Sequence, residues 1–212
     1  IAMSFSVGEF SKWAGIGLNI LIYAFITVFI YLILKKMLSR EKHFEIKSAI
    51  LAFASSIMLA SLSNVIYIRM YSLLTLEILI TIYLHIKLLK SEKINYKLLI
   101  GIGITVLAGV LTHYYYLFYL VFLYLIFMVK YIKEKQYKML AYYTLTLVTA
   151  GILSLIIFPY SISHMFFGYR GQSVISSLEE VAKIPQKIFA QIHTLNYYAF
   201  NNLLYVIIAI II

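Results

Sequence analysis

Residues 98–129 read LLIGIGITVLAGVLTHYYYLFYLVFLYLIFMV, without a single Asp, Glu, Lys or Arg, between Lys97 and Lys130. A helix needs about 20 predominantly apolar residues to cross a bilayer. This stretch is too long for one crossing, and it divides at Thr112-His113-Tyr114 into apolar runs near 98–112 and 114–129. The junction is a tight turn or a buried bend between two helices. Lysines close both outer ends, so the two runs cross and return.

The same unit repeats outward along the chain. Further apolar stretches cover about 14–38, 46–66, 71–89 and 138–159, and another begins near Leu203. The connection after the first carries Lys35, Lys36, Arg40, Lys42 and Lys47. The one after the third carries Lys87, Lys90, Lys93 and Lys97, and the one after the fifth carries Lys130, Lys133, Lys135 and Lys138. The connections between them hold Arg69 alone and, at Thr112–Tyr114, no Lys or Arg. Lysine-rich short loops stay on the cytoplasmic side. The connections at Arg69, at His113 and after Pro159 therefore face the exterior, with the N-terminal Glu9 and Lys12.

The fold class that follows is all-α, a polytopic transmembrane helical bundle. About six full spans and a truncated seventh are expected, with a large external loop. Residues 1–159 form the transmembrane core, 160–202 the external loop, and 203–212 the start of the next span. Composition agrees: 63% of residues are hydrophobic and 12% charged, and the mean hydropathy is +0.94. Soluble domains carry about a quarter charged residues. The net charge of +10 would suit a nucleic-acid partner, but the basic residues sit in the loops where topology demands them, so no nucleic acid is expected. Membrane lipids are the expected surroundings. Cysteine is absent, which excludes disulfides and thiolate metal sites. The chain begins at Ile1 and ends at Ile212 within an apolar run, with no signal-peptide pattern, as expected of an internal piece of a longer protein.

Within the 160–202 loop, Val181, Ile184, Ile188 and Ile192 recur at helical spacing among Glu180, Lys183, Lys187 and Gln191. That pattern suits a helix lying in the membrane interface. Pro185 breaks such a helix or restarts it as its first residue. Ala52, Ser56 and Ala60 share one helix face, as do Gly101, Thr105 and Gly109. Small residues at this spacing let membrane helices approach closely.

Polar groups that composition does not explain gather on the exterior side: Arg69 with Tyr71, His113 with Tyr114, and His164 with Tyr169 and Arg170. Three connections delivering cationic and tyrosyl groups to one surface suit an anionic ligand. Arg69 is a snorkelling arginine or a phosphate contact, for which its planar fork is well shaped. His113 and its tyrosines are hydrogen-bonded structure, an aromatic belt, or part of a site. Glycines 168 and 171 flank Tyr169-Arg170 and suggest a turn that aims these side chains. His164 can ligate a metal or protonate near a phosphate, although no further ligands stand at recognisable spacing. Glu77 lies about two turns inside the third span. It is either a structural hydrogen-bond partner or a functional group. Nucleophile motifs, a phosphate-binding glycine loop and paired carboxylates are absent from the sequence.

The run from Ser63 to Leu76, SNVIYIRMYSLLTL, resembles the junction between the third and fourth spans of bacterial GT-C fold membrane glycosyltransferases. The branch is the glycosyltransferase family 39-like group of dolichyl-phosphate-mannose protein mannosyltransferases and lipid A aminoarabinose transferases. Gly109–Tyr116, His164–Gly171 and Phe10–Trp13 resemble that group as well. The resemblance covers essentially the whole chain in order, its spans corresponding to the second through eighth of a full protein. It implies inverting transfer of a sugar from a polyprenyl-phosphate donor on the outer face of a bacterial plasma membrane. The acceptor would be an envelope glycan, lipid or protein. It also implies that the catalytic aspartate precedes Ile1 and that this stretch alone is inactive; some members of the group hold a divalent metal near the phosphate, and His164 is the position for it here. Such chemistry needs a carboxylate base and stabilisation of a leaving phosphate. Arg69, Tyr71, His113, Tyr114, His164, Tyr169 and Arg170 are the expected donor-binding set. A transporter or flippase, and a polysaccharide polymerase or ligase, are the rival readings. The first would show repeat symmetry and interrupted helices; the second would use a diphosphate-linked donor.

Overall fold

The structure, a computed structural model, describes residues 12–58, 70–91, 93–161 and 184–200. These form seven helices and no strand: α1 (Lys12–Met37), α2 (Phe44–Ser56), α3 (Tyr71–Leu89), α4 (Tyr96–Thr112), α5 (Tyr115–Lys133), α6 (Tyr137–Ile157) and α7 (Ile184–Phe200). Four of them, α1, α3, α5 and α6, are long and apolar enough to cross a membrane, and α4 is a shorter apolar helix of 17 residues. The expected second span, 46–66, is helical as α2 through Ser56. Its remainder beyond 58 lies outside the described residues, as does the expected seventh span from Leu203.

Side-chain contacts fix the direction of each helix. Lys35 Nζ meets Glu45 Oε1 at 2.5 Å, while far along the same pair the Tyr23 hydroxyl donates to the Ser56 carbonyl, so α1 and α2 are antiparallel. Thr112 of α4 reaches Glu77 of α3, whereas Gly101 lies against Leu84, so these two are antiparallel as well. Phe29 and Lys36 of α1 both reach Tyr83, which brings the C-terminal half of α1 against the C-terminal half of α3. Tyr96 packs edge-on to Tyr142 and Gly103 against Thr146, which sets α4 alongside α6. The three lysine-rich connections, after α1, α3 and α5, then fall at one end of the bundle. Tyr71, Glu77, Thr112 and His113 fall toward the other.

Local chemistry explains where the helices turn. The Asn95 side chain accepts from Leu98 N–H at 3.2 Å and starts α4. At the end of α5, Gln136 N–H bonds to the Tyr131 carbonyl at 2.8 Å and Lys135 N–H to that of Ile132 at 3.1 Å. This paired return is a Schellman closure, with Lys135 in the left-handed conformation at φ 56°. α7 begins at Ile184 and holds Pro185 in its first turn, where the missing N–H has no helical partner to lose.

The core is aromatic: Tyr116, Tyr131, Tyr143 and Phe127 are fully buried with Ile102 and Val106. Large apolar side chains such as Ile104, Phe122, Ile126 and Ile156 face outward. Helices that are apolar all round suit a lipid solvent, where all backbone groups must be satisfied within the segment. The chain has no cysteine, so single cysteines report sidedness cleanly. Ser91→Cys and Ser173→Cys are expected to react with a membrane-impermeant maleimide from opposite sides, Ser173→Cys from the exterior. Labelling of both from one side would dismantle the shared exterior face.

Candidate functional site

On α3, four-residue spacing puts Glu77, Thr81 and His85 in one stripe. All three are buried, at 7%, 0% and 2% exposure. A polar stripe inside an apolar bundle must find partners from neighbouring helices, because an unmet polar group there costs several kcal/mol. Thr112 Oγ1 donates to Glu77 Oε1 at 2.8 Å. Thr81 Oγ1 donates to the Glu77 carbonyl at 2.8 Å, so the Tyr116 hydroxyl, 2.6 Å away, is the donor to Thr81. His85 Nδ1 lies 2.8 Å from the Thr81 carbonyl, which can only accept. The imidazole proton is thereby on Nδ1, and neutral Nε2 accepts from the Tyr143 hydroxyl at 3.0 Å. One atom of the stripe is left over. Glu77 Oε2 is buried and has no hydrogen-bond partner among the described residues.

The junction expected at Thr112–Tyr114 is a tight turn. α4 ends at Thr112 and α5 starts at Tyr115. His113 adopts an extended backbone, and its ring, 5% exposed, turns back to cap α5. Nδ1 accepts from Tyr115 N–H at 3.1 Å, so in the neutral ring the proton is on Nε2. The ring lies between Tyr114 and Tyr115, with centroids 4.5 Å from each, and 6.0 Å from Tyr71 at the start of α3. Such a turn requires a close helix approach. The Tyr116 ring fills the space beside Gly109 where any Cβ would stand.

Of the residues expected from sequence, the structure therefore brings together Tyr71, Glu77, His113 and Tyr114 at the end of the bundle opposite the lysines. His113 carries a structural task there, since capping α5 uses one of its two nitrogens. Arg69, His164, Tyr169 and Arg170 lie outside the described residues. Sequence reasoning passed over Thr112, Thr81, Tyr116, His85 and Tyr143. The i, i+4, i+8 pattern of Glu77, Thr81 and His85 was legible as a stripe. Its partners on α4, α5 and α6 were not. Among the described residues no three His, Cys, Asp or Glu side chains gather as a metal site, so the metal expectation rests on His164 alone.

Comparison with known proteins finds no matching family, no matching curated protein and no matching solved structure.

Proposed function

We propose that this chain is the membrane core of a glycosyltransferase that moves a sugar from a polyprenyl-phosphate donor to an envelope acceptor at the exterior face, with inversion. The observation that carries the reading is Glu77 Oε2, buried without a partner among the described residues on a carboxyl held by Thr112 at the end of α4. A carboxyl oxygen without a donor is poised to take one from a ligand, and sugar hydroxyls are donors of that kind. Tyr71 and Tyr114, whose rings pack against His113, add phenolic groups at the same end of the bundle. Arg69 and Arg170 supply charge for the leaving phosphate. His164 is the residue that would hold a divalent metal near that phosphate.

The test is transfer by the full-length protein in proteoliposomes supplied with a monophosphate-linked polyprenyl sugar. Glu77→Gln keeps an acceptor for Thr112 but removes the carboxyl group, and transfer is expected to fall about tenfold or more. Unchanged transfer by Glu77→Gln would remove this residue from the site. Turnover only with a diphosphate-linked oligosaccharide would replace the reading with a polymerase.

A second reading has its own observation. The stripe of Glu77, Thr81 and His85 runs along the bundle interior, and ionisable residues so placed mark ion and substrate pathways. Solute flux without sugar transfer, lost in both Glu77→Gln and His85→Gln, would favour a transporter.

A further inference from the structure

At the lysine-rich end, two ammonium groups converge on one aromatic ring. Lys36 Nζ from α1 lies 5.7 Å from the Tyr83 centroid, and Lys87 Nζ from α3 lies 4.5 Å from it. The ring itself is fixed by the edge-on contact of Phe29, with centroids 5.8 Å apart. The two charges are therefore no more than about 10 Å apart. That is about one Debye length at 0.1 M salt, a distance at which like charges are incompletely screened.

Neighbouring lysines show what is missing. Four of the lysines near helix ends are half-buried: Lys35, Lys36, Lys87 and Lys130. Lys35 is paired with Glu45 and Lys130 with Glu134, while Glu41 is taken by the exposed Lys47. Those are the three ion pairs among the described residues. Lys36 and Lys87 have no carboxylate partner among the described residues, and their positive heads lie against the Tyr83 ring. A single lysine in a last helical turn is accounted for by the helix dipole. Two, from different helices and on one ring, make a small cationic cradle.

We infer that Lys36, Lys87 and Tyr83 form a binding site for a phosphate group at the lysine-rich end of the bundle. Lysine side chains are flexible, so a phosphate that enters beside the ring can draw in both ammoniums, each donating charge-assisted hydrogen bonds. Anionic phospholipids present such a phosphate at this depth and enrich the cytoplasmic surface. A free phosphate in solution presents the same chemistry. The site is independent of any reaction at the opposite end.

The experiment uses the full-length protein in detergent, titrated with phosphatidylglycerol, phosphatidylcholine or inorganic phosphate, with bound molecules counted by native mass spectrometry. The wild type is expected to retain phosphatidylglycerol in preference to phosphatidylcholine. Lys36→Gln/Lys87→Gln should weaken that binding roughly thirtyfold, from about fivefold for each lysine near an anionic partner. Lys90→Gln/Lys97→Gln removes the same charge elsewhere at this end and should leave it unchanged. Equal losses in both double variants would mean a diffuse basic surface and would overturn the site. So would a wild type that shows no preference for phosphatidylglycerol and binds no inorganic phosphate, a result that needs no variant to fold. Retention of inorganic phosphate with the same dependence on Lys36 and Lys87 supports the site and identifies a soluble anion as its occupant.

Discussion

Arg170→Ala is expected to reduce sugar transfer by the full-length protein roughly tenfold to more than a hundredfold. The expectation rests on the sequence Gly168-Tyr169-Arg170-Gly171, in which flanking glycines permit a turn that aims the guanidinium. A charge-assisted contact to the donor phosphate is worth about 1.5–3 kcal/mol, which sets the range of the loss. Arg170→Lys should restore part of the rate, because an ammonium keeps the charge and loses the bidentate fork. A snorkelling arginine gives near-normal rates in both variants, and that result would take Arg170 out of the site together with its neighbour His164.

Gly109→Ala is expected to destabilise the bundle by about 1–3 kcal/mol, the usual cost of an overpacked core. A methyl group at this position would stand within the Tyr116 ring. That ring cannot easily withdraw, since it is fully buried and its hydroxyl is committed to Thr81. Gly151→Ala is the matched control, because open space surrounds that position. In a helix interior alanine is favoured over glycine by about 1 kcal/mol, so the control should be neutral or slightly stabilising. Unfolding of the purified protein in mixed detergent, followed by loss of helical signal, measures both. Equal midpoints for the two variants would mean that the α4–α5 junction yields more freely than its packing indicates. The Gly109 effect should also reach the end of the bundle where α4 meets α5, because the same turn sets His113 beside Tyr71 and Thr112 beside Glu77.

Much of the fold was legible before any coordinates. The alternation of lysine-rich and lysine-poor connections already divided the apolar runs into opposed directions, and side-chain contacts place the lysine-bearing ends together. That Pro185 breaks or restarts a helix, and that the chain breaks at Thr112–Tyr114, was readable from backbone chemistry; the helix restarts one residue earlier, at Ile184. Choosing between a tight turn and a buried bend was not, because that choice depends on whether Tyr116 can pass Gly109. The packing role expected of Gly101 and Gly109 also came through, with Leu84 and Tyr116 as the groups they admit.

The site divides along the same line. By itself the sequence determined which residues are costly in a membrane: Glu77 and His113 stand out in apolar runs because lipid offers no water to solvate them. It also determined which connection each belongs to. Only the tertiary structure decided their partners, because hydrogen bonds between helices join residues as far apart in sequence as His85 and Tyr143 or Glu77 and Thr112. Such bonds satisfied the side chains of the stripe except one carboxyl oxygen, while local bonds turned His113 toward the start of α5 and set the tautomer of His85. Periodicity fixes the face on which a side chain emerges. What waits on the neighbouring helix is decided by how the helices cross and by how closely their small residues let them approach.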